Sequence, residues 1–422
     1  MTSYDVIIVG TGAAGLFCAL NLPECLSVAM LCKEGLCDND SFLAQGGIST
    51  LRTPDDYEPF YEDTMKAGHF ENDPDAVSEM INASTRIIKD LLDAGVDFEK
   101  TDKGFSYTRE GAHSHNRIMY HGDSTGKEIT SKLLETAKTR RNIQMFPYMS
   151  MIDIIHKANA CNGVVVSDKS GFHALFSKAV VWATGGVGGL FRNSTNFEHL
   201  TGDAVVLSLI HNIKLRDVSY IQIHPTTLYT PKEGRKFLIS ESLRGEGAIL
   251  LDLRGNRFVN ELLPRDVLSL KIAEQMKSDN SEYIYLSAEK IDKNELLRHF
   301  PYICKHCEEQ GFDLTKVPIP VAPAQHYFMG GVLADLQGQT SMRNLYAVGE
   351  TACNGVHGKN RLASNSLLEA LVFAKNAAHR LSAKLENFEK TEVDLSVYGG
   401  DFLKKHRHLF TSQINPNEAL FL

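Results

Sequence analysis

The amino-terminal part of the chain alternates between apolar runs and a glycine-rich turn. Residues 4–9 form a short run rich in β-branched side chains, and this run ends in Gly10-Thr-Gly12-Ala-Ala-Gly15. Alanines and leucines at helical spacing follow, and a second apolar run covers residues 27–32. Strand, tight turn, helix and strand in this order predict a βαβ unit at the start of the chain.

Three later segments carry the patterns of further buried elements. Residues 175–184 indicate a buried strand closed by Gly185-Gly186, and residues 345–350 run from an apolar strand into a glycine and Glu350. Residues 366–383 predict a helix, because one face of this segment is apolar at helical spacing. That face consists of Leu367, Leu368, Leu371, Ala374, Ala378 and Leu381.

The span 218–327 differs from the sequence on either side of it. It is rich in charged residues and in proline, and it contains a helical stretch near residues 264–278. This change of composition in the middle of the chain indicates a lobe inserted between two parts of one domain.

Composition and charge narrow the class of protein. Of the 422 residues, 43% are hydrophobic and 23% are charged, which is typical of a folded globular chain. The formal net charge of −8 gives no electrostatic reason to expect a nucleic acid as partner. Because we find neither an apolar run of about 18 residues nor a secretory signal, we expect no contact with a membrane.

The cysteines point to a reducing environment. Eight cysteines are scattered along a large chain, which favours a cytoplasmic location over a secreted, disulfide-stabilised scaffold. Cys304 and Cys307 form a CxxC pair, but no second pair completes a tetrahedral site. We therefore expect no metal centre.

The three glycines of the first turn have the spacing of a dinucleotide-binding fingerprint. Gly10 permits the tight turn, Gly12 lets the backbone approach a diphosphate, and Gly15 lets the helix pack closely on the strand. The acid expected at the end of the second strand is not at its usual position, where the sequence reads Leu31-Cys32-Lys33-Glu34. Either Lys33 or the adjacent Glu34 is expected to meet the adenosine ribose.

Two further glycine passages favour FAD over NAD as the dinucleotide. Ala183-Thr-Gly-Gly186 and Ala347-Val-Gly-Glu350 each follow an apolar strand and would bring its end toward one long ligand. The carboxylate of Glu350 is suited to the hydroxyl groups of a ribityl chain. Both features indicate FAD, and the segments described next support the same cofactor.

Seven segments, in order over about residues 4–385, resemble one flavoprotein family. The chain is similar to the flavoprotein superfamily of succinate dehydrogenase and fumarate reductase, and within it to the L-aspartate oxidase branch. The segments are Asp40-Ser-Phe-Leu-Ala-Gln-Gly-Gly47, Thr108-Arg-Glu-Gly-Ala-His-Ser-His115, Gln222-Ile-His-Pro-Thr226, Leu243-Arg-Gly-Glu-Gly247, Pro264-Arg-Asp266, Pro323-Ala-Gln-His326 and Asn360-Arg-Leu-Ala-Ser-Asn-Ser-Leu-Leu-Glu369.

The resemblance implies an α/β fold in which a Rossmann-like FAD-binding domain carries an inserted α+β capping domain. We assign residues 1–217 and 328–397 to the discontinuous FAD-binding domain and residues 218–327 to the capping domain. Typical members of the branch continue into a further helical domain of well over a hundred residues. Here we expect residues 398–422 to form only a short remnant of it, beginning with a basic helix near residues 403–410.

The resemblance also implies a set of cofactor contacts. Membrane-complex relatives bind FAD covalently through a histidine where this chain has Asp40, so we expect the flavin to be held non-covalently. The positions carried over, together with the fingerprint glycines, are Gly10, Thr11, Gly12, Ala13, Ala14, Gly15, Lys33, Asp40, Ser41, Phe42, Leu43, Ala44, Gln45, Gly46, Gly47, Asp203, Glu350, Ser366 and Leu367.

The substrate implied by the resemblance is L-aspartate, and the chain has side chains that suit it. Arg361 can hold a carboxylate through two parallel hydrogen bonds, and His224 and His326 can donate to the other carboxylate. Arg265 occupies the position of the family's catalytic arginine, and an acid at Glu110 gives the substrate ammonium group a partner. Arg244 in the inserted lobe completes the expected set.

The implied reaction is oxidation of L-aspartate to iminoaspartate, with reduction of O2 to hydrogen peroxide or of fumarate to succinate. It would be the first step of quinolinate and NAD biosynthesis, with quinolinate synthase as a partner. Arg265 has two candidate roles, because a guanidinium is a poor base: an electrostatic clamp or a proton shuttle. Two alternatives stay open, namely a soluble fumarate reductase or succinate-oxidising flavoprotein, and a catalytically idle flavin-binding subunit. The oligomeric state also stays open.

Overall fold

The computed structural model describes residues 3–102, 104–387, 391–399 and 401–413. Helices and strands both contribute substantially, so the expected mixed α/β fold is confirmed. Within the described residues the helices are α1 (Ala13–Asn21), α2 (Asp40–Leu43), α3 (Tyr57–Ala67), α4 (Pro74–Asp93), α5 (Thr125–Thr139), α6 (Asp203–Ile210), α7 (Glu241–Gly245), α8 (Arg265–Asp279), α9 (Lys293–His299), α10 (Pro301–Glu309), α11 (Asn365–Ala383), α12 (Phe402–His406) and α13 (His408–Thr411).

The strands are numbered in the same way along the chain. They are β1 (Ser3–Val9), β2 (Val28–Leu31), β3 (Ile48–Ser49), β4 (Lys100–Thr101), β5 (Gly104–Phe105), β6 (Ile118–Met119), β7 (Ile143–Phe146), β8 (Ser150–Lys157), β9 (Ala160–Asp168), β10 (Gly171–Trp182), β11 (Asn193–Ser194), β12 (Leu215–Arg216), β13 (Ile221–Leu228), β14 (Gly234–Arg235), β15 (Ile249–Leu251), β16 (Ile284–Ser287), β17 (Ile319–Phe328), β18 (Gly331–Leu333), β19 (Leu345–Ala347) and β20 (Ala352–Cys353).

The largest sheet has the order β7-β2-β1-β10-β9-β8, and β19 also pairs with β10. Strands β7, β2, β1, β10 and β19 run parallel, whereas β8 and β9 form an antiparallel extension. Strand β10 joins the two parts. Its amino-terminal half pairs with β9, and its carboxyl-terminal half pairs with β1 on one edge and β19 on the other.

The sequence patterns anticipated the parallel strands because these strands are buried on both faces. The apolar runs at residues 4–9 and 27–32 become β1 and β2. The run at 175–184 belongs to β10, which begins earlier, at Gly171, and ends at Trp182. Helix α1 packs against α5 and α11 on one face of the sheet, so that the βαβ unit sits at the centre of the domain.

A second sheet, of order β14-β11-β17-β16-β15 with β13 paired to β17, carries the inserted lobe. Together with α8, α9 and α10 it encloses a separate hydrophobic cluster that runs from Leu228 to Val321. The helical stretch expected near residues 264–278 is α8. Strand β11 joins this sheet from outside the span 218–327, and the domain boundaries themselves remain a prediction.

The Cys304–Cys307 pair lies inside the cluster of the inserted lobe. Both thiols are free, and burial raises the pKa of Cys304 to about 11 and of Cys307 to about 12. The pair therefore packs as small apolar groups. Among the described residues, no cluster of histidine, cysteine and acidic side chains could hold a metal ion. The described helices include none long and apolar enough to cross a membrane.

The carboxyl-terminal segment folds back onto the largest domain. The basic stretch near residues 403–410 forms two short helices, α12 and α13, rather than one, and both pack against α6. Phe410 is fully buried, and its ring lies edge-on to that of Phe328 at 5.9 Å between centroids. Residues 400 and 414–422 of the predicted remnant lie outside the described residues.

Candidate active site

A cavity lies at the carboxyl ends of the parallel strands. Residues that directly follow four of these strands line it: Gly10 after β1, Cys32 after β2, Ala183 after β10 and Val348 after β19. Lys33 and Glu350, slightly further along the chain, also line it. The inserted lobe covers the other side of the cavity. This edge of a parallel sheet is where open α/β folds bind their ligands.

The fingerprint glycines are required by the packing around the first turn. Gly10 has φ +121°, and a Cβ atom there would lie 1.9 Å from the carbonyl oxygen of Ala183. A Cβ atom on Gly15 would lie 2.2 Å from the carbonyl oxygen of Gly10. Gly12 lines the cavity immediately before α1 begins. The amino end of α1 therefore faces the cavity without side chains in between, which fits a diphosphate group.

Lys33 belongs to the cavity wall, whereas Glu34 is exposed and is not among the described residues that line it. The Nζ atom of Lys33 lies 2.5 Å from Oδ2 of Asp203 and donates to Oγ1 of Thr201 at 3.2 Å. Of the two residues that the sequence left open, Lys33 is therefore the one that lines the cavity, and its contact with the adenosine ribose remains a prediction. Two residues carried over separately as flavin contacts, Lys33 and Asp203, form one ion pair.

Most of the expected cofactor contacts line the cavity. Ala13, Gly15 and Phe42 do not: Ala13 donates its backbone N–H to Ser41 at 3.0 Å, and Gly15 packs against Gly10. The expected positions that line the cavity are Gly10, Thr11, Gly12, Ala14, Lys33, Asp40, Ser41, Leu43, Ala44, Gln45, Gly46, Gly47, Asp203, Glu350, Ser366 and Leu367.

Two buried carboxyl groups face the cavity near its middle. Oδ1 of Asp40 accepts the backbone N–H of Phe197 at 3.0 Å, and Oδ2 is buried without a partner in the described part of the chain. Glu350 accepts the N–H of Phe328 at 2.9 Å. Burial raises the pKa of Asp40 to about 7, and burial together with Asp40 raises the pKa of Glu350 to about 8. Carboxyl groups that hold a proton near neutral pH can donate hydrogen bonds, which fits the polar groups of a flavin dinucleotide.

At the far end of the cavity two arginines converge. Arg265 is the first residue of α8, and Arg361 precedes α11 in the chain. Both donate to Oε1 of Gln222, from Nη1 of Arg265 at 2.9 Å and from Nη2 of Arg361 at 3.1 Å. The guanidinium of Arg361 also lies 4.5 Å from the ring centroid of Tyr327. Two cations held by one neutral acceptor leave donors free for the carboxylates of a ligand.

His224 and His326 stand beside the arginines. Their rings meet edge-to-face, with centroids 5.0 Å apart. Burial, reinforced by Arg265, lowers the pKa of both well below the ordinary value, so both are neutral at pH 7. Nε2 of His224 is buried and has no partner in the described protein, whereas Nδ1 of His326 lies 2.7 Å from Oγ1 of Thr195.

Glu110 lines the same cavity and is only 5% exposed. Its Oε1 accepts the hydroxyl of Ser242 at 2.9 Å, and its Oε2 accepts the hydroxyl of Ser364 at 2.6 Å. A Cβ atom at Gly46 would lie 2.8 Å from Oε1, so the glycine makes room for the carboxylate. The acid therefore has a fixed position in the cavity that also holds the two arginines.

Arg244 is not among the described residues that line the cavity. It is fully buried, donates from Nη1 to the carbonyl oxygen of Glu261, and lies 3.9 Å from Glu241. Oε2 of Glu241 accepts from Nε of Arg265 at 2.6 Å, and the two arginines lower the pKa of Glu241 against the effect of burial. Nε and Nη2 of Arg244 are buried without a hydrogen-bond partner in the described part of the chain, and its role in substrate binding remains a prediction.

The sequence pointed to the charged members of the site but not to the neutral ones that hold them. Gln222 and Ser364 lie within the matching segments, and Ser242 and Tyr327 are directly adjacent to them. Only their position in or beside a matching segment could have identified these residues from the sequence, since an amide or a hydroxyl has no charge that would mark it as functional.

Comparison with known proteins shows similarity to FAD-binding flavoproteins. Residues 5–367 match the family described as FAD binding domain. The chain is 50% identical over 386 residues to an L-aspartate oxidase of Clostridium perfringens, covering 91% of this chain and 88% of that protein. It is 46% identical to an L-aspartate oxidase of Clostridium acetobutylicum, covering 94% and 92%. A solved quinol–fumarate reductase with menaquinol molecules is 28% identical, with a TM-score of 0.88, and the match covers 97% of this chain and 76% of that one.

Proposed function

The chain belongs to the L-aspartate oxidase family of FAD-binding flavoproteins, and from this premise we propose how its residues act. The protein is an FAD-dependent oxidoreductase that converts L-aspartate to iminoaspartate. One observation carries the assignment of residues: the buried carboxylate of Glu110 faces the cavity that also contains Arg265 and Arg361.

These side chains match the groups of a four-carbon amino dicarboxylate. Arg361 and Arg265 hold the carboxylates, and their shared contact with Gln222 fixes the distance between the two guanidinium groups. Neutral His224 and His326 donate further hydrogen bonds without adding charge. Glu110 pairs with the ammonium group, and the hydroxyls of Ser242 and Ser364 keep its carboxylate turned toward that group.

When bound, FAD would supply the acceptor for the two electrons and the hydrogen that leave the substrate carbon, with O2 or fumarate as the final electron acceptor. The residues of this chain orient the substrate and exclude water. The inserted lobe contributes Arg265 and His224, so the substrate is enclosed between the lobe and the sheet. Oxidation of the amine also releases a proton from nitrogen, and the anionic Glu110 stabilises the cationic nitrogen until that proton leaves.

Arg265 acts as an electrostatic clamp in this scheme. Its Nε is paired with Glu241 at 2.6 Å and its Nη1 donates to Gln222, so the guanidinium is held in one orientation. A clamp suits amino-acid oxidation, in which the substrate loses hydrogen, whereas proton delivery is needed for the reverse type of reaction on fumarate.

We also propose a pathway and a cellular location for the reaction. Iminoaspartate would pass to quinolinate synthase, as the first step toward quinolinate and NAD, in the cytoplasm. The eight cysteines support the location, since all are free. Non-covalent FAD is supported by the carboxyl group of Asp40, which stands on the cavity wall where covalent relatives have a histidine.

A soluble fumarate reductase or succinate-oxidising flavoprotein is the second candidate. The two arginines that bind carboxylates favour it, because fumarate and succinate carry the same pair of carboxylate groups as L-aspartate. Glu110 disfavours it, because a substrate without an ammonium group offers this buried acid no positive charge to pair with. The idle flavin-binding subunit has the least support, since the cationic and acidic members of the site are all present in one cavity.

Anaerobic reduction of the bound flavin separates these candidates. Purified protein is mixed with L-aspartate or with succinate in the absence of oxygen, and the loss of flavin absorbance is followed in a stopped-flow instrument. L-Aspartate should bleach the flavin faster than succinate does. Bleaching by succinate alone would select the second candidate, and bleaching by neither would select the idle subunit. Acid precipitation of the same sample should release all the flavin.

A further inference from the structure

The short carboxyl-terminal helices reach the wall of the cofactor cavity. Arg407 lies between α12 and α13 and donates from Nη2 to Oγ1 of Thr201 at 2.8 Å. Thr201 lines the cavity together with Lys33 and Asp203. Residues 401–413 are thus in direct contact with a group of side chains at one end of the dinucleotide cavity, although the sequence places them far from the other cavity segments.

The hydroxyl of Thr201 uses its full hydrogen-bonding capacity in this group. It donates to Oδ1 of Asp203 at 2.8 Å and accepts from Nζ of Lys33 at 3.2 Å and from Arg407. A hydroxyl offers one donor and two acceptor positions, so each bond fixes the direction of the other two. Arg407 thereby sets the orientation of the hydroxyl, and through it the carboxylate of Asp203 and the ammonium of Lys33.

Apolar packing holds the segment in place independently of this hydrogen bond. Leu403 is 8% exposed and Phe410 is fully buried, and both belong to the core cluster that contains α6 residues. Because α6 begins at Asp203, the same packing positions α12 and α13 directly over the Lys33–Asp203 pair. Loss of the Arg407 side chain should therefore leave the helices docked.

The charges of the group suit the diphosphate and adenosine end of FAD. Lys33 and Arg407 are cationic and Asp203 is anionic, so the group carries a net positive charge. It lies after β2, the strand whose end meets the adenosine ribose in Rossmann-like folds, and near the amino end of α1, which favours a diphosphate. Asp40 and Glu350 line a different part of the cavity wall.

We propose that Arg407 is a positioning residue for the adenosine diphosphate half of FAD, and that the carboxyl-terminal helices are therefore part of the cofactor site. The residue acts through Thr201, not by contact with the cofactor. The inference rests on the FAD cofactor and is independent of the substrate assigned above.

The test compares two flavins that differ only in the adenosine half. Flavin is removed from the full chain, and the dissociation constants for FAD and for FMN are measured by quenching of flavin fluorescence. Arg407→Ala should weaken FAD binding by roughly tenfold, the value of one hydrogen bond to a charged group, and should leave FMN binding unchanged. Arg407→Lys should recover part of the loss because it restores the charge.

Lys405→Ala is the matched control, because it removes one exposed cation from the adjacent helix α12. It should leave both dissociation constants at the wild-type values. The rate of FAD release from the loaded protein after dilution gives a second measurement that needs no flavin-free protein, and Arg407→Ala should increase this rate. Unchanged FAD binding and release in Arg407→Ala would overturn the proposal, as would an equal loss for FAD and FMN.

Discussion

Arg265 and Arg361 donate hydrogen bonds to the same oxygen atom, although Arg265 begins α8 and Arg361 lies in the distant segment before α11. That atom, Oε1 of Gln222, lies 2.9 Å from the first guanidinium and 3.1 Å from the second. The amide nitrogen of Gln222 is held in turn by Asn360 and by the backbone of Arg361, each at 2.8 Å. The separation of the two cations is therefore set by one amide of fixed orientation.

Replacement of the Gln222 amide should weaken the binding of every dicarboxylate. In Gln222→Leu the two guanidinium groups lose their common acceptor and repel each other, so the KM values for L-aspartate and for fumarate should both rise by roughly tenfold. Steady-state kinetics with both substrates measure the effect. Gln144→Leu, at an exposed position of β7, should change neither value. A rise for only one of the two substrates would contradict the role of Gln222.

Glu110→Gln should change the choice between substrates. The variant keeps the shape of the side chain but removes the charge that pairs with the ammonium group, so kcat/KM for L-aspartate should fall by roughly 10- to 100-fold. Fumarate reduction should be unaffected, because fumarate has no amine. Glu246→Gln, which changes a partly exposed acid in the inserted lobe, is the control. An equal loss for both substrates would show that Glu110 does not recognise the amine.

Arg361→Lys should separate substrate binding from cofactor binding. Lysine keeps the charge but cannot contact Gln222 and a carboxylate with a planar fork, and it loses the contact with the ring of Tyr327. The KM for L-aspartate should rise by roughly 100-fold, while the absorbance spectrum of bound flavin is retained. Arg343→Lys, at an exposed side chain, should have no effect. An unchanged KM would mean that Arg361 does not hold a carboxylate.

Asp40 makes the stability of the flavin-free protein depend on pH. The folded protein raises the pKa of this carboxyl group from 3.8 to about 7, so between these values the folded state binds more protons than the unfolded chain. Stability then decreases as the pH rises through this window. Asp40→Asn removes the contribution, and its Tm should exceed that of the wild type by more at pH 8 than at pH 5.

Scanning calorimetry of the flavin-free proteins at the two pH values measures this difference. Asp55→Asn, at an exposed position, should give the same small change at both. If the Tm of Asp40→Asn exceeded that of the wild type equally at pH 5 and pH 8, the carboxyl group of Asp40 would not titrate in this window.

Asp123 connects the inserted lobe to the rest of the protein. Its carboxylate accepts the backbone N–H groups of Tyr302 at 3.2 Å and Ile303 at 2.7 Å, at the first turn of α10, and Tyr302 lines the cavity. Asp123→Ala should cost about 1 kcal/mol of stability, the usual value of a helix cap, and should increase hydrogen exchange at residues 301–309. Because the lobe is less firmly closed, the KM for L-aspartate should also rise.

Asp292 offers a control for this variant. It caps α9 within the lobe, accepting from Asn294 at 2.9 Å and Glu295 at 3.1 Å. Asp292→Ala should lower stability by a similar amount without changing KM. If both variants raise KM equally, the effect of Asp123 comes from general loss of stability and not from closure of the lobe.

The sequence was most informative where a residue type and a local pattern determine the role together. Strands β1 and β2 could be predicted because buried parallel strands are continuous apolar runs, and Gly10 because its turn excludes any side chain. The role of Gln222 could not be predicted, since an amide becomes a bridge only when β13 and the segment before α11 meet. Arg244 is the opposite case. Its charge and its matching segment predicted a place in the substrate pocket, but its side chain lies beside Glu241 and is not among the described residues that line the cavity. Arg407 acts in a group whose other members lie about two hundred or more residues earlier.

The split pairing of β10 has a consequence for the order of biosynthesis. Residues 180–182 bond to β1 on one edge, but their other edge stays open until Leu345–Ala347 has been translated and can pair with them. An exposed edge of this kind invites wrong pairing, and contacts between such distant segments form slowly. Glu350, Arg361 and Leu367 also line the cavity, so its wall is complete only after this later part of the chain has been translated.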